Sequence, residues 1–117
     1  MPMLSKAPIL WSFRRCPFAM RARLAIAAGD QIVQLREILL RDKPAAFLAT
    51  TAKGTVPVLD LQDGRVIEES LEIMMWALGK NDPHGWLNIW HKEPEKVKTF
   101  LDHVDGPFKH DLDRYKY

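Results

Sequence analysis

The sequence predicts an α/β layer domain of order β-α-β-α-β-β-α, followed by a linker and the first helices of an all-α region. Three observations carry this expectation. Short apolar runs such as Pro8-Ile9-Leu10-Trp11-Ser12 alternate with segments whose apolar residues recur at helical spacing. Gln62-Asp63-Gly64 separates two strand-like runs, and Asp-Gly between strand patterns is a hairpin signal. After Asn81-Asp82-Pro83-His84-Gly85, a cluster of turn residues, only helical patterns remain.

The first strand runs into Arg14-Arg15-Cys16-Pro17, and Pro17 opens a helix in which Met20, Leu24 and Ala28 recur until Gly29. Gly29-Asp30 turns into a second strand, Ile32 to Ile38, continuing apolar through Leu39-Leu40. Lys43-Pro44-Ala45-Ala46-Phe47-Leu48 reads as a short helix ending near Thr50-Thr51. Val56-Pro57-Val58-Leu59-Asp60-Leu61 and Arg65-Val66-Ile67 form the hairpin. A proline inside a strand cannot donate to the ladder, so Pro57 needs a specific reason to be there. Glu68-Glu69-Ser70 opens the next helix, with Leu71, Met74, Met75 and Leu78 as its apolar stripe and Gly79 as its end.

Beyond the turn cluster, Trp86, Leu87, Ile89 and Trp90 are apolar although they lie in the connection, and are expected to pack against other elements. Pro94 starts a helix carrying Val97, Phe100, Leu101 and Val104. Gly106-Pro107 breaks it, and Phe108, Leu112 and Tyr115 begin another. The expected organisation is therefore a domain at 1–80, a linker at 81–92 and part of a helical domain at 93–117.

With 17 basic and 15 acidic residues the formal charge is +2, which leaves no electrostatic footprint for nucleic acid or an acidic membrane surface. Ser12-Phe13-Arg14-Arg15 resembles a twin-arginine signal, but Arg21 and Arg23 interrupt the apolar run such a signal requires. One cysteine excludes a disulfide within the chain and suits a reducing compartment, so a cytoplasmic location is expected. The histidines, His84, His91, His103 and His110, lack a cysteine or carboxylate partner at ligand spacing, so no metal is expected.

Cys16 stands where a strand hands over to a helix. Unpaired backbone N–H groups at the helix mouth, with Arg14 and Arg15 alongside, favour the thiolate and hence a reactive thiol over a buried small hydrophobe. Taken alone, Glu69-Ser70 reads as a helix cap with a favourable first-turn charge and Lys43 as a solvated surface charge.

Four features in order, Arg14-Arg15-Cys16-Pro17-Phe18-Ala19, Lys43-Pro44, Gly54-Thr55-Val56-Pro57-Val58-Leu59 and Glu69-Ser70, make the chain resemble the N-terminal, thioredoxin-like domain of the glutathione transferase superfamily. Cys-Pro-Phe-Ala is most similar to the cysteine-type members, the omega-like transferases and their bacterial relatives. The resemblance implies that Cys16 is the catalytic thiol and Pro57 the cis-proline of this fold, and that glutathione is the co-substrate. It implies that the backbone of Val56 meets the cysteinyl part of glutathione and that Glu69 and Ser70 hold the γ-glutamyl end. Lys43 would face the glycyl carboxylate, and Phe18 would lie near the thiol. Members continue into a complete helical domain that closes the second-substrate pocket and shares a homodimer interface, so the chain is expected to end inside that domain, with weak or absent activity of its own.

Alanine at position 19, where dithiol relatives carry a second cysteine, leaves a monothiol route. The expected activity is glutathione-dependent thiol transfer through a mixed disulfide, with dehydroascorbate reduction as related chemistry. Glutathione conjugation to a small electrophile is the second expectation, and a non-catalytic interaction module the third.

Overall fold

Alternation along the strands sorts the core into two layers. The structure, a computed structural model, describes residues 6–108, 110 and 114. Strand β1 (Ile9–Ser12) pairs in parallel with β2 (Gln34–Glu37) and antiparallel with β3 (Val58–Asp60), which pairs antiparallel with β4 (Val66–Ile67). The sheet order is β2-β1-β3-β4. Leu10 lies opposite Leu35 on one side and Leu59 on the other.

Leu10, Leu59 and Leu61 point to a cluster completed by Ala22 and Ile26 of α1 (Pro17–Ala28) and by Ile73 and Ala77 of α3 (Ser70–Lys80). Trp11, Val56 and Val58 point the other way, to Ile38 and to Phe47 of α2 (Ala45–Thr50). Phe47 is fully buried and its ring lies 5.6 Å from that of Trp11, centroid to centroid. Burying a side chain of that size stabilises by about 1.5–3 kcal/mol. The buried indole N–H of Trp11 meets no acceptor among the described residues, which offsets part of that gain by about 1–3 kcal/mol. This is the thioredoxin-like order expected from the sequence.

The buried face of α1 differs from the expected stripe. Ala19, Ala22, Ala25 and Ile26 face the core, whereas Met20 and Leu24 are exposed. Close approach of α1 to α3 is the reason: a Cβ added at Gly29 would lie 2.8 Å from the Ala77 carbonyl oxygen and 2.9 Å from that of Asn81. Only small side chains fit such a seam. Gly29 itself has φ −87°, and the left-handed residue of the following turn is Asp30, at φ 55°.

On α3, Ile73, Ala77 and Leu78 are buried, while Leu71, Met74 and Met75 are only half-buried. The helix passes through Gly79 and ends after Lys80, because Asn81 leaves it to donate from Nδ2 to the Gly29 carbonyl at 3.1 Å. Strand β2 is shorter than expected. Leu39 pairs with Asp42 in a tight bridge that carries Leu39 and Leu40 out of the sheet, and both are exposed. The hairpin forms where Asp63-Gly64 places it, with Gln62 and Gly64 at positive φ and Leu61 N–H donating to the Arg65 carbonyl.

The chain divides into two compact units, Met1–His84 and Gly85–Tyr117. The second contains α4 (Asn88–Lys92) and α5 (Pro94–His103), and α4 forms within the stretch expected as linker. Trp86 and Ile89 are exposed, contrary to the expectation that they pack away. Gly106-Pro107 widens the chain into a π-helical turn, Val104–Phe108, in place of the expected break. Leu112 and Tyr115, expected in a further helix, lie outside the described residues. No described helix is long and apolar enough to cross a membrane.

Candidate active site

Cys16 occupies the cap position of α1, with φ −82° and ψ 118°, and Pro17 follows as the first helical residue. Its N–H donates to the Phe13 carbonyl at 3.0 Å, and its carbonyl accepts the first helical bond from Met20 at 2.9 Å. The thiol is half-buried against the Trp11, Phe47 and Val56 cluster and donates to the Val56 carbonyl oxygen at 3.9 Å. Val56 is joined to Pro57 by a cis peptide bond.

The loop before Cys16 is held from within the domain. The Arg23 guanidinium, on α1, donates to the hydroxyl of fully buried Ser12, to the Phe13 carbonyl at 3.4 Å and to the Arg14 carbonyl at 3.2 Å. Arg14 donates its own N–H to the Glu37 carboxylate at 3.0 Å. Three consecutive residues ahead of the thiol are thereby tied to α1 and β2.

The loop before Val56 has its own clasp. The Glu68 carboxylate accepts from the Thr51 hydroxyl, from Ala52 N–H at 3.1 Å and from Lys53 N–H at 3.3 Å. The Thr51 bond, then the Lys53 N–H, holds the Glu68 carboxyl below the usual glutamate range. Thr51 Oγ1 in turn accepts from Lys53 and Gly54 N–H, each at 3.2 Å. Gly54 has φ +70°, a conformation glycine adopts without steric cost.

Lys43, expected to meet a carboxylate, donates from Nζ to the Gly54 carbonyl at 2.8 Å. Glu69 precedes α3, makes no capping bond with its side chain, and forms an exposed ion pair with Lys53. That pair raises the Lys53 pKa, chiefly through the hydrogen bond to Glu69. Ser70, the first residue of α3, is buried, and its hydroxyl accepts from Arg21 Nε at 2.9 Å. The Arg21 guanidinium lies over the Phe18 ring, 5.1 Å from its centroid.

The predicted residues are thus linked in a closed circuit. It runs from Cys16 to Phe18 along α1, across Arg21 to Ser70, back through Glu69 to Lys53 and Gly54, and from Val56 to the thiol. Lys43 joins it at Gly54. Sequence reasoning missed Arg21, Arg23, Lys53 and Glu68. Arg21 carries one signal, its position three residues after Phe18, which puts the two on one helix face. Among the described residues, no three His, Cys, Asp or Glu side chains gather as a metal site.

A single thiol at the mouth of the first helix, beside a cis-proline and on this sheet, belongs to a thioredoxin-like domain. The family model described as glutathione S-transferase, N-terminal domain, matches residues 10–85, and the chain belongs to that family. Glutathione S-transferase omega-1 of Sus scrofa is 39% identical over 61 residues, covering 52% of this chain and 25% of the pig protein. A probable glutathione transferase of Aplysia californica is 43% identical over 58 residues, covering 50% of this chain and 62% of its own length. The chain therefore matches only part of the length of these curated relatives. Among solved structures, glutathione transferase Omega 2C of Trametes versicolor superposes with a TM-score of 0.72 at 21% identity, covering 96% of this chain and 56% of that one. A rice glutathione transferase in complex with glutathione gives a TM-score of 0.67 at 26% identity, covering 86% and 48%.

Proposed function

We propose that the chain is the glutathione-binding part of a thiol transferase in which Cys16 carries a glutathionyl group through a mixed disulfide. The Cys16 thiolate attacks the glutathionyl sulfur of a disulfide substrate. The S–S bond breaks, and the electron pair leaves with the substrate thiolate, which takes up a proton. The thiolate of a second glutathione then attacks the glutathionyl sulfur held on Cys16, releasing glutathione disulfide and restoring the Cys16 thiolate.

Val56 offers its backbone to the cysteinyl portion of glutathione in the manner of an added strand. Glu69 pairs with the α-amino group, exchanging Lys53 for it, and Ser70 at the start of α3 donates to the α-carboxylate. Lys43 takes the glycyl carboxylate, and Phe18 walls the thiol. Residues 1–80 form this binding domain, 81–92 the linker and 93–117 the start of a helical domain, in a cytoplasmic homodimer.

The observation that carries the reading is the contact of Cys16 Sγ with the Val56 carbonyl, 3.9 Å away beside the cis peptide. The test is deglutathionylation of a mixed-disulfide substrate by wild type and by Cys16→Ser with free glutathione present. Loss of turnover in the variant is expected, and undiminished turnover refutes the assignment. The relatives carry the general name glutathione transferase, which supports a second reading, conjugation of glutathione to an electrophile. In that case Cys16→Ser retains or raises activity toward a chloronitrobenzene.

A further inference from the structure

We infer that Arg21 is a positioning residue for substrate recognition: it orients the Ser70 hydroxyl as a dedicated donor to the α-carboxylate of a γ-glutamyl substrate. The inference rests on the glutathione reading above and assigns within it a residue that reading does not use. Its basis is the direction of one hydrogen bond. A serine hydroxyl has one proton and two acceptor lone pairs, whereas a guanidinium has only donors. Because Arg21 Nε donates to Ser70 Oγ at 2.9 Å, the Ser70 proton has to point toward some other acceptor. That leaves the Ser70 proton for a ligand acceptor such as a carboxylate, while the second lone pair stays open to a donor, so the charge at the site is what disfavours an ammonium there.

Three features keep that polarity fixed. The guanidinium is laid over the Phe18 ring at 5.1 Å, a planar contact that a lysine ammonium does not reproduce. Ser70 is 5% exposed, so water competes little for its oxygen, and a bond from a charged donor is stronger than one between neutral groups. Arg21 also brings its positive charge to the start of α3, an eleven-residue helix whose N-terminal end already favours anions. Charge, dipole and hydroxyl direction all select a carboxylate at the same place. The neighbouring Glu69 selects an ammonium, so the two adjacent residues distinguish the two ends of an α-amino acid.

A strut joining α1 to α3 would affect stability, or the binding of every ligand equally. An orienting role affects only discrimination at the α-carboxylate. Calorimetry of the chain with glutathione, and with the analogue whose γ-glutamyl α-carboxylate is a primary carboxamide, separates the two. Wild type is expected to prefer glutathione by about tenfold or more. Arg21→Met should lose most of that preference while binding the carboxamide within about twofold of wild type. Arg21→Lys, which keeps the charge and stem but not the Nε bond, should lose it too, and serves if the methionine variant does not fold. In a Ser70→Ala background, Arg21→Lys should change the preference no further. A preference that survives both Arg21 substitutions, or an equal weakening of both ligands, overturns the inference and leaves the glutathione reading intact. Failure of the wild type to bind glutathione overturns both.

Discussion

The Cys16 thiol reaches the Val56 carbonyl oxygen across forty positions of sequence, at 3.9 Å. A thiol is a weak donor, so this bond orients the sulfur without carrying much of the fold. Cys16→Ala is expected to cost less than about 1 kcal/mol, a fall in Tm within about 4–8 °C for a domain of this size. Thermal unfolding followed by circular dichroism checks it. A larger fall would give the thiol a structural role as well.

Lys53 occupies the Glu69 carboxylate that a γ-glutamyl ammonium would need. Both side chains are about half exposed, at 49% and 57%, and exposed pairs are weak. Lys53→Ala is therefore expected to tighten glutathione binding, by less than about fivefold. Weaker binding in the calorimeter would mean that Lys53 assists the ligand instead of competing with it.

Glu68 gives the domain an acid-sensitive clasp. Its carboxyl titrates lower in the folded chain than the ordinary value of 4.5, first because of the Thr51 hydroxyl. A lowered folded-state pKa contributes stability that is fully present above the unfolded value and is lost as pH falls through the folded one. Glu68→Gln should thus be less stable than wild type at neutral pH, and the gap between their Tm values should close below pH 4.5. A gap that stays constant from neutral pH to about pH 3 would contradict this.

Two glycines should respond oppositely to alanine. At Gly29 the added methyl meets backbone carbonyls at 2.8 and 2.9 Å, whereas at Gly79 nothing lies within 4 Å. Gly29→Ala is expected to destabilise by about 1–3 kcal/mol. Gly79→Ala, inside α3, should stabilise by about 0.5–1 kcal/mol by removing helix-interior glycine. Denaturant midpoints of the two variants, compared with wild type, give the signs directly.

The same seam explains which parts of the molecule were legible in the sequence. Asp63-Gly64 was readable because it fixes backbone geometry alone, and the structure has a hairpin there; the cis bond before Pro57 was expected only from the family resemblance, and the structure has it. Helical spacing found α1 but chose the wrong face, since Met20 and Leu24 carry more apolar surface than Ala19, Ala22 and Ala25. Packing distance between helices, which no single segment encodes, decided for the alanines. Gly79 looked like a helix end, but Asn81 provides the end through a bond to Gly29, 52 residues away. Arg21 was readable only as a charge, because its partner Ser70 lies 49 positions along the chain. Lys53 and Glu68 were concealed in the same way, since their partners Glu69 and Thr51 lie 16 and 17 positions away.

Leu10 and Trp11 are neighbours in β1, yet they belong to different clusters on opposite sides of the sheet. The sheet acts as a partition. The thiol packs on the Trp11 side, while the α1–α3 seam lies on the Leu10 side, so the seam can be repacked without remodelling the surroundings of the sulfur. Ile73→Val and Ile38→Val, one on each side, should each cost about 0.5–1.5 kcal/mol. Their costs should add to within about 0.5 kcal/mol in the double variant. Such independence would let stability and thiol chemistry drift separately among relatives that share this sheet.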